Sequence, residues 1–114
     1  MIKKKLSGNI EFKKAFSEGK RFESNNLIVF ILKNKYNLNR LGLIVKKEIG
    51  KAVVRNKIKR WAREAYRELE LNRKLFQGYD IIIIVKKSVI GLEYFELCRE
   101  LERLFYKEKN NISG

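Results

Sequence analysis

Ala52-Val53-Val54-Arg55-Asn56-Lys57-Ile58-Lys59-Arg60-Trp61-Ala62-Arg63-Glu64-Ala65-Tyr66-Arg67-Glu68-Leu69-Glu70 reads as one amphipathic helix. At 100° per residue, Ile58, Trp61, Ala62, Ala65 and Leu69 all fall within about 80° of Val54 on the helical wheel. Arg55, Asn56, Lys59, Arg60, Arg63 and Arg67 occupy the opposite arc, between about 100° and 240°. One stripe is therefore built to cover something apolar, and the other carries charge.

The neighbours supply the apolar partner. Leu41-Gly42-Leu43-Ile44-Val45 precedes the helix, and Tyr79 to Val85, with four consecutive isoleucines, follows it. Both runs are continuously apolar rather than alternating, which implies burial on both faces or a cleft on one. A strand–helix–strand order allows those two strands to run parallel. Upstream, residues 20–33 read as extended chain ending in Leu27-Ile28-Val29-Phe30-Ile31-Leu32, and Asn34 to Arg40 reads as a polar turn. A short helix is expected from Asn9, as N-cap, to Glu18, with Phe12 and Phe16 one turn apart and Gly19 ending it. Gly91 is expected to start a last helix with Tyr94, Leu97, Cys98, Leu101, Leu104 and Phe105 inward. No internal repeat or low-complexity linker is visible. The expectation is one α+β domain over 1–114, a two-layer sandwich of helices on a small mixed sheet, with 1–8 and 109–114 loose.

Charge is concentrated where the helix begins. Lys46, Lys47, Lys51, Arg55, Lys57, Lys59, Arg60 and Arg63 face a single acid, Glu48, so residues 46–63 carry +7 of the chain's +14. The order opposes the helix dipole: cations crowd the N-terminus, while Glu68 and Glu70 crowd the C-terminus. A bound anion near the N-terminus would resolve the conflict, because free backbone N–H groups and cations would meet the same phosphates. A solvated basic face is the plain alternative. Phe12, Phe16 and Phe30 are core aromatics or platforms for unpaired bases. Trp61 and Cys98 read as core. Tyr79 and Asp80, at a strand start, read as capping or turn residues.

Composition excludes much chemistry. With no His and one Cys, the chain cannot build a Ser-His-Asp or Cys-His site, a structural zinc site or an internal disulfide. Twelve of the 13 acids are Glu, most of them on outward helix faces or in loops, which is a poor start for a metal-dependent nuclease. Gly42 to Lys51 lacks the spacing of a phosphate loop, and Ala52 stands where Ser or Thr would hold the metal. The basic start has no apolar stretch after it, so no secretory signal is expected, and the cytoplasm is the expected compartment.

Leu41 to Glu64 resembles the signature of the bacterial ribonuclease P protein subunit. Its core is the box Arg55-Asn56-Lys57-Ile58-Lys59-Arg60, preceded by Gly50-Lys51-Ala52-Val53. Glu11-Phe12-Lys13-Lys14-Ala15-Phe16 with Gly19, the isoleucine strand and the closing helix fall in the family's order. The resemblance implies an α+β fold with a left-handed strand–helix–strand crossover, against the usual right-handed rule. It implies a non-catalytic subunit of an endonuclease, a hydrolase that removes the 5′ leader of precursor tRNA. The RNA subunit and its Mg²⁺ would carry the chemistry, and the protein would bind no cofactor of its own. Its partners would be that RNA, in a 1:1 complex, and the precursor tRNA, with no membrane. Lys46, Lys47, Lys51, Arg55, Asn56, Lys57, Lys59, Arg60 and Arg63 would face RNA. Phe12, Phe16 and Phe30 would line the leader cleft between sheet and basic helix. Glu48 departs from the family's basic turn, and Lys57 replaces a commoner Arg, keeping charge but losing a bidentate fork. A basic ribosomal-type structural protein and a nuclease acting alone are the alternative readings.

Overall fold

The chain runs α1 (Asn9–Glu18), β1 (Lys20–Glu23), β2 (Leu27–Lys33), β3 (Arg40–Val45), α2 (Ala52–Leu71), β4 (Tyr79–Val85) and α3 (Tyr94–Ser113). One 3-10 turn follows β3 at Lys47–Ile49 and another follows β4 at Lys87–Val89. This computed structural model describes residues 5–6, 8–72 and 77–113, with side chains as far as 106.

The sheet order is β1-β2-β4-β3. β2 pairs antiparallel with β1 and β4, while β3 and β4 run parallel, joined by α2. The sheet is mixed and the class is α+β. Leu27, Val29, Ile31, Ile81, Ile83 and Val85 alternate onto one face, where they meet Ile58, Ala62, Ala65 and Leu69 of α2 and Leu97, Leu101, Leu104 and Phe105 of α3. The intervening residues face α1, where Ala15 covers Ile82. This is why the strand runs are apolar without alternation: helices lie on both sides.

The register fixes how α1 crosses that second face. Phe30, Ile82 and Gly42 form one row across β2, β4 and β3. A Cβ on Gly42 would lie 2.7 Å from the Phe12 ring, so glycine is what lets that ring settle on β3. The next row, Ile28, Ile84 and Ile44, is only half-buried.

Several local expectations are corrected. Gly8, not Asn9, holds the N-cap of α1, because its carbonyl accepts the Phe12 N–H at 3.3 Å and closes the first turn one residue early. Val54 is 39% exposed, because the first turn of α2 stands beyond the strand ends, and Tyr66 takes the other wing of the buried stripe. α3 starts at Tyr94 rather than Gly91. Its start is closed by the Glu96 carboxylate, which accepts the Glu93 N–H at 2.9 Å. Within the stretch 1–8 expected to be loose, Leu6 is 2% exposed and donates its N–H to the Leu41 carbonyl at 2.9 Å. Within 109–114, the helix continues to Ser113.

Candidate nucleic-acid interface

The basic helix carries its cations in distinct lanes. Arg55, Lys59 and Arg63 recur every four residues, about 6 Å apart along the axis, on the flank beside the free edge of β3. There Lys59 and Arg63 line a cleft of about 570 Å³ with Lys5, Leu6, Phe12, Leu41 and Leu43. Arg55 is half-buried, and its Nε donates to the Gly50 carbonyl at 3.1 Å, so it braces the turn that launches the helix. Asn56 and Arg60 are exposed on the outward lane. Lys57 lies on the opposite flank from the cleft, its ammonium 4.7 Å from the centre of the Trp61 ring. Trp61 in turn meets Tyr94 of α3 edge-on at 5.9 Å.

Lys46, Lys47 and Lys51 are exposed on the connection between β3 and α2. Gly50 sits there at φ +152° and ψ −163°, a conformation reserved for glycine, and turns the chain into the helix. No side chain caps the α2 N-terminus, and its first turn holds no acid. Among the described residues, none of Lys46, Lys47, Lys51, Arg55, Lys57, Lys59, Arg60 and Arg63 pairs with a carboxylate. The charge conflict seen in the sequence therefore persists in the fold.

The three phenylalanines form one cluster. Phe16 meets Phe30 edge-on with centroids 5.0 Å apart, and Phe12 lies 6.2 Å from Phe16. Only Phe12 lines the cleft beside Lys59 and Arg63. Phe30 stands two strands away on β2, and Phe16, 39% exposed, lies between solvent and that ring. Lys5 and Leu6 are cleft residues that the sequence reading missed. An isolated leucine after a lysine run was the available signal.

Asp80 is not a capping residue but the centre of a buried polar knot. Arg40, its register partner on β3, donates Nε and Nη2 to the two carboxylate oxygens at 2.8 and 2.7 Å. Asn34 adds a bond at 2.9 Å, the Tyr36 ring lies 4.7 Å from the guanidinium, and Glu11 of α1 pairs with the same arginine. The knot ties α1, and with it Phe12 and Phe16, to the sheet edge. No three of His, Cys, Asp and Glu come together as metal ligands among the described residues. None of their helices is long and apolar enough to cross a membrane.

A family model described as Ribonuclease P matches residues 2–109. The ribonuclease P protein component of Clostridium botulinum strain 657 is 38% identical over 107 residues, covering 94% of this chain and 96% of its own length. That of Alkaliphilus oremlandii is 39% identical over 103 residues, covering 90% and 89%. Among solved structures, the RNase P protein of Thermotoga maritima superposes with a TM-score of 0.82 at 31% identity, over 90% of this chain and 96% of that one. The Staphylococcus aureus RNase P protein gives 0.84 at 27% identity, over 95% and 97%.

Proposed function

The chain belongs to the ribonuclease P protein family, and from that premise we propose that it is the protein subunit of ribonuclease P. In this role it binds the catalytic RNA subunit, in a 1:1 complex, and the 5′ leader of precursor tRNA in the cytoplasm. The RNA and its Mg²⁺ hydrolyse the phosphodiester bond that frees the mature 5′ end. The protein contributes charge and shape: cations that neutralise phosphates, and an aromatic surface that favours substrate carrying a leader over product without one.

The observation that carries this reading is the uncommitted basic face of α2 beside a cleft floored by Phe12. A helix tuned for its own stability would place those cations at its other end. Lys59 and Arg63 are the groups suited to a leader strand in the cleft. Arg60 and Asn56, on the outward lane, suit the RNA subunit.

The test is to mix the protein, the ribonuclease P RNA and precursor tRNA at low Mg²⁺. Cleavage is expected when the RNA is present, faster with the protein than without it. Cleavage by the protein alone would make it a nuclease in its own right. No effect in any mixture would leave a basic structural RNA-binding protein.

A further inference from the structure

Residues 43–49 read Leu-Ile-Val-Lys-Lys-Glu-Ile, and residues 83–89 read Ile-Ile-Val-Lys-Lys-Ser-Val. The two segments are forty residues apart, and the parallel pairing of β3 with β4 is also offset by forty, setting Val45 beside Val85. The two copies therefore end their strands next to each other, about 4.8 Å apart. Each then makes the same turn. Lys46 and Lys86 are extended at φ −71° and −83°. Their carbonyls accept the N–H of Ile49 and of Val89, both at 3.1 Å. The carbonyls of Lys47 and Lys87 accept the N–H of Gly50 and of Ile90, both at 3.2 Å. Ile49 and Val89 are buried and anchor the two turns in the core.

The copies differ in what their lysines do. Lys86 is committed: it pairs with Glu23 and donates to the Ser24 carbonyl at 2.9 Å. Lys87 is exposed and joins no ion pair among the described residues. Where the first turn carries Glu48, the second carries Ser88, whose hydroxyl donates to the Asn25 carbonyl at 2.8 Å. Two acids of the neighbouring elements are engaged elsewhere. Glu23 holds Arg21 and Lys86, and Glu100 accepts bonds from Ser24 and Asn26. The start of α3 is closed by Glu96, whereas the start of α2 is open. We infer that Lys87 contacts RNA phosphate, and that the twin turns form one cationic ledge of Lys46, Lys47, Lys51 and Lys87 at the end of the sheet where α2 departs. This rests on the RNA-binding function proposed above and extends its surface from α2 to the β4–α3 connection.

The repeat supplies its own control, since Lys86 and Lys87 are adjacent and only one is free. The experiment measures the dissociation constant of the full chain for the ribonuclease P RNA across a range of KCl concentrations. Lys87→Ala is expected to weaken binding roughly three- to tenfold and to lower the magnitude of the log K against log salt slope by about 0.7–0.9, one phosphate contact. Lys87→Arg should restore both. Lys86→Ala should lower the melting temperature and leave the slope unchanged, and Lys35→Ala, on the turn at the far end of the sheet, should change neither. An unchanged slope in Lys87→Ala, with wild-type binding intact, overturns this inference alone. An equal loss in Lys35→Ala also overturns it, since net charge would then explain the effect. Wild-type protein that does not bind the RNA overturns the functional reading and this inference together. Lys87-dependent binding to anionic lipid vesicles in place of RNA would hand the ledge to a membrane.

Discussion

Single residues in this protein are constrained mostly by what lies a few ångströms away on another element. Gly42 shows the point: in sequence it looks like a weak spot in a strand, and only the fold reveals Phe12 above it. Gly42→Ala should overpack that contact, lowering stability by about 1–3 kcal/mol in a denaturant titration and pushing the ring into the cleft. Gly19 matters by crowding rather than by conformation. It does end α1, but its φ is an ordinary −76°, and what demands glycine is the Ala15 carbonyl, 2.5 Å from where a Cβ would be. Tyr66 lies outside the apolar stripe drawn on the wheel, yet it is buried. Its hydroxyl, buried and donating to Glu70 at 3.4 Å, has its pKa pushed above the ordinary phenol range, first by burial and then by that carboxylate. Raising the folded-state value makes the stabilising term complete below the unfolded pKa of about 10 and lost as pH climbs past it. Tyr66→Phe should therefore flatten the alkaline fall in stability that sets in above about pH 10, followed by thermal melts.

At the scale of elements, periodicity carried the reading furthest. α2 was legible because its apolar stripe and its charge have the same period, and β4 because four isoleucines admit little else. What failed lay at the ends: Val54 and the start of α3 depend on where the strands stop, which no local pattern encodes. The lanes of α2 lead to a differential prediction. Arg60→Ala and Arg63→Ala should weaken RNA binding while the melting temperature stays within a degree or two of wild type, since both side chains are exposed. Lys57 was grouped with them by its place in the box, yet it rests on Trp61 and so contributes to the α2–α3 seam as well. The Asp80 knot was not legible at all. An Arg and an Asp forty residues apart become partners only when β3 and β4 align. Asp80→Ala removes the bidentate partner of Arg40 and leaves Glu11 as its remaining carboxylate, which should cost about 1.5–3 kcal/mol, read by equilibrium unfolding. It should also loosen the seating of α1.

For the molecule as a whole, the net charge of +14 pointed only to a polyanionic partner, whereas the basic box in α2 carried the resemblance that named the family. If six to eight phosphates are neutralised, log K for RNA should fall with log salt at a slope of roughly −4 to −6, and a flat response would remove electrostatics from the account. The seven-residue echo between the ends of β3 and β4 went unseen in the sequence because it is too short to stand out until the pairing places the copies together. β4 lies between β2 and β3, which do not pair with each other. As the chain leaves the ribosome, the β1–β2 hairpin and the basic helix emerge with no template to join them. The isoleucines that close the sheet arrive only after residue 79. Until then the basic face of α2 has no rigid backing, and the surface proposed to hold RNA is assembled only once β4 has been made.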